Sequence, residues 1–233
     1  MALSVTSEVR KPYLDGKNGI DVSEVTAYFK FQALPNSCVP TCIHNVLKAL
    51  AASHRYPPIA LSERRVNQLC RYRLNFGPIM NDIVSNMKGA IRSFGYAAYA
   101  GAHMTYGTLA KVIDDKEGSY PVIELSHKYL DDRCDSTEDS TSENPPDHVV
   151  IVLCSDPNET IIFDPFDTRN KVMRKLPDRI GRGLYLMPTG QIMEYWDKAF
   201  RSWAFWIGRL SRKTRGTTRS TVLEQYPVNS EAK

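Results

Sequence analysis

The apolar positions of the chain fall into two textures. Val39, Cys42, Ile43, Val46, Leu47 and Leu50 recur at i, i+3, i+4, i+7, i+8 and i+11, a single stripe at the helical period. Ser37 precedes the stripe as a candidate N-cap, Pro40 suits a first turn in which no amide partner is lost, and Pro57-Pro58 stops the run. A helix is therefore expected over about 39–52. Val66, Leu69 and Cys70 place another near 62–72, and Ile83, Met87, Ala90, Ile91 and Phe94 place one over 80–94, ended by Gly95. A short helix is expected at 105–114. The second texture, short apolar runs between turn residues, predicts strands at 96–100, 121–125, 148–154, 160–164 and 184–187. The turn sequence Ser155-Asp156-Pro157-Asn158-Glu159 makes 148–164 a hairpin. Ile192, Tyr195, Trp196, Ala199, Phe200 and Trp203 return to helical spacing, and the aromatic set Trp196, Phe200, Trp203, Phe205 and Trp206 is read as core. Helices gathered early and strands late are the signature of an α+β fold.

The chain has 233 residues, 42% of them hydrophobic, which suits one large domain and excludes wholesale disorder. The domain is expected over 28–208, with 1–27 as a polar N-terminal extension and 209–233 as a basic, flexible tail. Apolar runs such as Val149–Cys154 and Trp203–Ile207 fall far short of the ~20 residues of a membrane-spanning helix. The first residues carry no apolar segment of a secretory signal, so a cytoplasmic protein is expected. Five cysteines are too few and too odd a number for a disulfide framework. The net charge of +4 says little, but its distribution says more. Residues 131–147 carry seven acids against one arginine, and Arg209–Arg219 carries five basic residues and no acid. The acidic stretch reads as a long loop that ends beside His148, a candidate lid or a rim favouring basic substrate segments. The basic tail reads as solubilising, with nucleic acid an unlikely partner.

The strongest chemical signal comes from the first two cysteines. At about 100° per residue, Cys42 falls about 60° from Val39, inside the apolar stripe, and Cys38 about 100° away, on its margin. Cys42 is thus a core residue. Cys38 sits at the helix N-terminus, where free amides and the positive end of the dipole favour a thiolate, the usual setting of a cysteine nucleophile. A nucleophile needs a base. His44 points away on the same helix, His54 and His103 lie in polar segments, and His127 and His148 stand at strand ends. His148 has the better surroundings, because the hairpin returns an acid, Asp164, toward it; an acid there fixes the imidazole tautomer. Asp167 is the alternative acid. A zinc site from Cys38, Cys42 and His148 is disfavoured, since the Cys-x-x-x-Cys spacing stands alone, and no cofactor is expected.

The stretch Gln32-Ala33-Leu34-Pro35-Asn36-Ser37-Cys38-Val39-Pro40-Thr41-Cys42 resembles the nucleophile block of the bacteriocin-leader-processing peptidases and their stand-alone relatives, a papain-like cysteine peptidase family. Pro121-Val122-Ile123, His148-Val149-Val150-Ile151 and Phe163-Asp164-Pro165 follow in the family's order, and the resemblance spans about residues 28–208. It implies a papain-like fold, with a helical part carrying the nucleophile packed on an antiparallel sheet. It also implies that Cys38 is the nucleophile, His148 the base, Asp164 the residue that orients it, and Gln32 a donor to the oxyanion. Ser37-Cys38-Val39 departs from the Asp-Cys-Gly common in the family. The expected partner is a protein or peptide substrate. The same thiol would also serve an acyltransferase or peptide ligase, and a catalytically inactive peptide-binding module is the third possibility.

Overall fold

The first apolar stripe forms the central helix of the molecule. In the computed structural model, which describes residues 22–34, 37–52, 59–71, 80–114, 120–133, 147–166, 178–199 and 202–210, a short helix α1 (Val22–Thr26) is followed by α2 (Cys38–Ala52). Cys42, Ile43 and Val46 on the stripe of α2 are wholly buried. Ser37 does not cap this helix as expected. Its carbonyl accepts the Thr41 amide at 3.0 Å, while its hydroxyl turns back to donate to the Leu34 carbonyl at 2.6 Å. The amides of the first turn are therefore left without a side-chain cap. Helices α3 (Glu63–Leu69), α4 (Met80–Arg92) and α5 (Tyr106–Asp114) follow. Ser62 does cap α3, accepting from the Arg65 amide at 3.2 Å. The turn after α4 closes at Gly95, whose φ of 85° suits a residue without Cβ.

Among the described residues, seven strands make one antiparallel sheet: β1 (Tyr96–Gly101), β2 (Val122–Leu125), β3 (His148–Ser155), β4 (Glu159–Phe163), β5 (Arg179–Gly181), β6 (Leu184–Pro188) and β7 (Ala204–Arg209), in the order β1-β7-β2-β3-β4-β6-β5. The β3–β4 hairpin turns where the sequence places it. The Asp156 carboxylate accepts the Asn158 and Glu159 amides at 2.7 and 2.9 Å, an Asx turn.

Two elements differ from the sequence reading. The helix α7 (Thr189–Asp197) stops well short of Trp203, and residues 204–209 form β7 between β1 and β2. In this strand Phe205 and Ile207 enter one core and Ala204 and Trp206 the other. A run apolar on both faces has no period to separate strand from helix, so its place in the sheet decides. Residues 131–133, expected to open the acidic loop, instead close a sixth helix, α6 (Lys128–Arg133), with Tyr129 and Arg133 buried. The remainder of that loop (134–146), residues 1–21, Pro57-Pro58, Asp167, Phe200 and the tail from 211 onward lie outside the described residues.

The sheet separates two cores. Helices α1 to α4 pack on the face that presents Val122, Val149, Ile151, Ile161, Phe163 and Phe205. On the other face, α5, α6 and α7 cover Ile123, Leu125, Val150, Val152 and Ile162. Each such aliphatic side chain contributes about 1.5–3 kcal/mol on full burial, which is why β2 to β4 are almost wholly apolar. Val22 and Val25 of α1 join the first core, so the last part of the expected N-terminal extension is integrated into the domain. Among the described residues, no helix is long and apolar enough to cross a membrane.

Candidate active site

The N-terminus of α2 and one end of the sheet meet at three side chains. Cys38 is the first residue of α2 and is partly exposed. Its amide, the first of the helix, has no hydrogen-bond partner among the described residues. One turn later Cys42 is buried, its Sγ donating to the Val149 carbonyl at 3.5 Å. Burial, with the Cys38 and Asp164 charges adding to it, pushes the Cys42 thiol well above its ordinary range, so it keeps its proton. The helix thus holds one accessible thiol and one committed to the core.

His148 is the first residue of β3 and is buried. Pairing of Ile151 with Phe163, continued one step, sets Asp164 opposite Val150, two positions from His148 and on the same face of the sheet. Diagonal neighbours of that kind lie within side-chain reach, and His148 Nε2 and Asp164 Oδ1 are 2.7 Å apart. Cys38 lies close enough to His148 for its side chain to help raise the imidazole. Since Nε2 is taken by Asp164, Nδ1 is the atom left for the thiol. Burial opposes a charge on His148, but the Asp164 charge, its hydrogen bond and the contact with Cys38 together outweigh it, and the imidazole is pushed up to about 10. Asp164 is fully buried too; burial opposes its charge, and the His148 charge and three hydrogen bonds hold it below the usual carboxylate range.

Helix α6 supplies a residue that sequence reasoning missed. Tyr129, 0% exposed, donates its hydroxyl to Asp164 Oδ2 at 2.9 Å. Its ring stacks on His148, with centroids 5.8 Å apart and planes 8° from parallel. Burial, then the Asp164 charge, raise the phenol well above its ordinary value, so it stays a donor. The Phe166 ring meets the imidazole in a T-shaped contact, centroids 5.7 Å apart, and the Phe166 amide donates to Asp164 Oδ1 at 2.8 Å. Imidazole and carboxylate are thus fixed in plane and orientation. Behind Tyr129, the guanidinium of Arg133 lies 5.2 Å from its ring centroid and pairs with Asp178 at 2.7 Å. Tyr129 escaped notice because six residues are too short to show a period and because Asp131 and Asp132 look like the start of the acidic loop.

Gln32 lies on the segment that leads into α2. Its amide donates to the Pro165 carbonyl at 2.8 Å, which ties it to the residue after Asp164. Two residues earlier, Asn45 clamps the backbone of Lys30, accepting its amide at 2.9 Å and donating to its carbonyl at 2.8 Å. The side-chain oxygen of Gln32, an acceptor, is buried without a hydrogen-bond partner among the described residues. The other described histidines are elsewhere. His44 is buried beside Glu63 and Lys30, with burial lowering its pKa, and the His127 backbone amide is held by the Asp147 carboxylate. No group of three metal-ligating side chains occurs among the described residues.

No family model matches the chain, and no curated protein sequence matches it. Solved structures do. A C39-like peptidase from Bacillus anthracis superposes with a TM-score of 0.52 at 15% identity, covering 81% of this chain and 97% of the other. The peptidase domain of Streptococcus ComA, a bifunctional ABC transporter, gives 0.45 at 17% identity over 78% and 97% of the two chains. A double-glycine-motif protease from an AMS/PCAT transporter, solved with its leader peptide, gives 0.39 at 15% over 77% and 89%. The first of these superpositions shows the fold: the chain has the α+β, papain-like architecture of the C39-like peptidases.

Proposed function

We propose that this chain, built on the fold of the C39-like peptidases, is a cysteine peptidase that hydrolyses a peptide or isopeptide bond in a protein or peptide substrate. The observation that carries the reading is the buried His148–Asp164 pair, 2.7 Å apart, beside the Cys38 thiol at the first residue of α2. With the thiol proton on Nδ1 of His148, the sulfur attacks the scissile carbonyl. The developing oxyanion is met by the unpartnered Cys38 amide and the side-chain amide of Gln32, a pair of donors of the kind worth about 10²–10³ in rate each. His148 then passes its proton to the leaving amine, and the acyl-thioester is released by water activated at the same imidazole. Asp164 keeps Nε2 protonated and balances the imidazolium throughout. The described cysteines Cys38, Cys42, Cys70 and Cys154 are all free thiols, which fits a reducing compartment such as the cytoplasm.

The test is a proteome-wide map of new N-termini in a lysate incubated with the protein or with its Cys38→Ala variant. Termini that require Cys38 are expected. Cys38-dependent conjugates in their place would overturn hydrolysis in favour of acyl transfer, and no Cys38-dependent product of either kind would overturn the enzyme.

A further inference from the structure

Arg133 is the last residue of α6, one helical turn after Tyr129. Its side chain is only 5% exposed. The guanidinium carbon lies over two rings, 4.5 Å from the centroid of Tyr185 and 5.2 Å from that of Tyr129. Nη1 donates to Asp178 Oδ2 at 2.7 Å, while Nε and Nη2 are buried without a hydrogen-bond partner among the described residues. Such a cation is a poor device for stability. Taking both charges of a buried pair out of water is costly, and apolar side chains of similar volume often serve a core as well or better.

The rings and the carboxylate that Arg133 touches lead to the His148–Asp164 pair. Tyr129 takes the guanidinium against its ring and donates its hydroxyl to Asp164 Oδ2 at 2.9 Å, and Asp164 Oδ1 is 2.7 Å from His148 Nε2. Asp178, Arg133, Tyr129, Asp164 and His148 are thus joined by consecutive side-chain contacts. A cation held against a phenol ring draws electron density from its oxygen, and interactions linked in series polarise one another. Both effects make the Tyr129 hydroxyl a stronger donor to the Asp164 carboxylate. In keeping with this, burial and the Asp164 charge raise the Tyr129 phenol, and the Arg133 charge works against that rise. The guanidinium is itself held in place, by Tyr185 of β6 on one side and by Asp178 on the other.

We propose that Arg133 is a positioning residue for the chemistry at Cys38, acting through Tyr129: it aims and strengthens the hydroxyl that holds the Asp164 carboxylate against His148. The inference rests on the peptidase reading above.

The readout is the rate constant for alkylation of Cys38 by iodoacetamide at pH 7, resolved by peptide mapping, which follows the thiolate that the imidazole maintains. Arg133→Met, unbranched and uncharged, should lower it about three- to tenfold, a coupling of the size found within one interaction network. In a Tyr129→Phe background the same replacement should lower it by less than about twofold, because the hydroxyl through which Arg133 acts is gone. Arg133→Lys, which keeps a cation beside the ring, should recover most of the wild-type rate. Circular dichroism checks the fold; if Arg133→Met does not fold, Arg133→Gln, able to bond Asp178 without a charge, replaces it in each comparison. A wild-type rate in the uncharged variant, whatever its Tm, would overturn the proposal and leave Arg133 a packing residue. Equal losses in the two backgrounds would overturn its action through Tyr129. A His148→Gln variant that alkylates at the wild-type rate would overturn the peptidase reading itself.

Discussion

Replacing Tyr129 by Phe removes one oxygen atom and keeps the ring stacked on His148. Asp164 receives three hydrogen bonds: Oδ1 takes His148 and the Phe166 amide, and Oδ2 takes only the Tyr129 hydroxyl among the described residues. The variant leaves Oδ2 unpartnered in a site where both residues are 0% exposed. A hydrogen bond to a charged group is worth about 1.5–3 kcal/mol, so a loss of about 2 kcal/mol is expected, and with it a fall in Tm of about 4–8 °C for a chain of this size. Stability alone would not separate packing from function, but the direction of the coupled titration does. With one donor gone, the Asp164 carboxylate is held less firmly in its charged form, and it in turn supports less charge on His148. The imidazole, near 10 in the native protein, should titrate about one unit lower, since a unit corresponds to about 1.4 kcal/mol. The assay is the rate of iodoacetamide alkylation at Cys38 against pH, resolved from the other cysteines by peptide mapping, which requires no knowledge of the substrate. The alkaline break of that profile should move to lower pH in Tyr129→Phe. A variant that loses Tm while its profile superimposes on the wild type would refute the reasoning and reduce Tyr129 to a packing residue.

Other outcomes follow from the same geometry. Cys42→Ala should cost about 1–2 kcal/mol in urea denaturation and leave Cys38 alkylation largely intact, because Cys42 is wholly buried; the reverse pattern would mean that the two thiols are misassigned. His148 has a native pKa raised from 6.5 to about 10, so its charged form contributes stability that is full below pH 6.5 and lost as pH rises through 10. The urea midpoint should accordingly fall more steeply over that window in the wild type than in His148→Gln. Gly183→Ala should lose about 2–4 kcal/mol. Its φ is +69°, and a Cβ there would stand 2.7 Å from Phe31, 2.9 Å from Phe163 and 3.0 Å from the Asp164 carbonyl. A denaturation midpoint within error of wild type would contradict the crowding.

Those elements whose side chains show a clear period were legible in the sequence. The stripe of α2 separated Cys42 from Cys38, and the turn at Asp156 gave the hairpin that brings Asp164 back to His148. What escaped was set by tertiary context. Tyr129 depends on a six-residue helix that lays its ring on the imidazole, and no pattern of that length carries such information. β7 is apolar on both faces, so neither period stands out. Ser37 looked like a cap, yet its hydroxyl found the Leu34 carbonyl, a choice of partner that the loop before α2 decides.

The strand order has a further consequence for how this protein is made. β7 is the last strand among the described residues, but it lies between β1 and β2 and pairs with both, Tyr96 with Arg209 and Val122 with Phe205. At a synthesis rate of about 5–20 residues per second, β1 waits about 5–20 s for residues 204–209 to appear. During that interval the nascent chain presents two apolar strand edges with no partner, the geometry that invites pairing with another chain. Residues 204–209 therefore close two edges at once, and a ribosome that stalls shortly before them leaves a split sheet prone to aggregation.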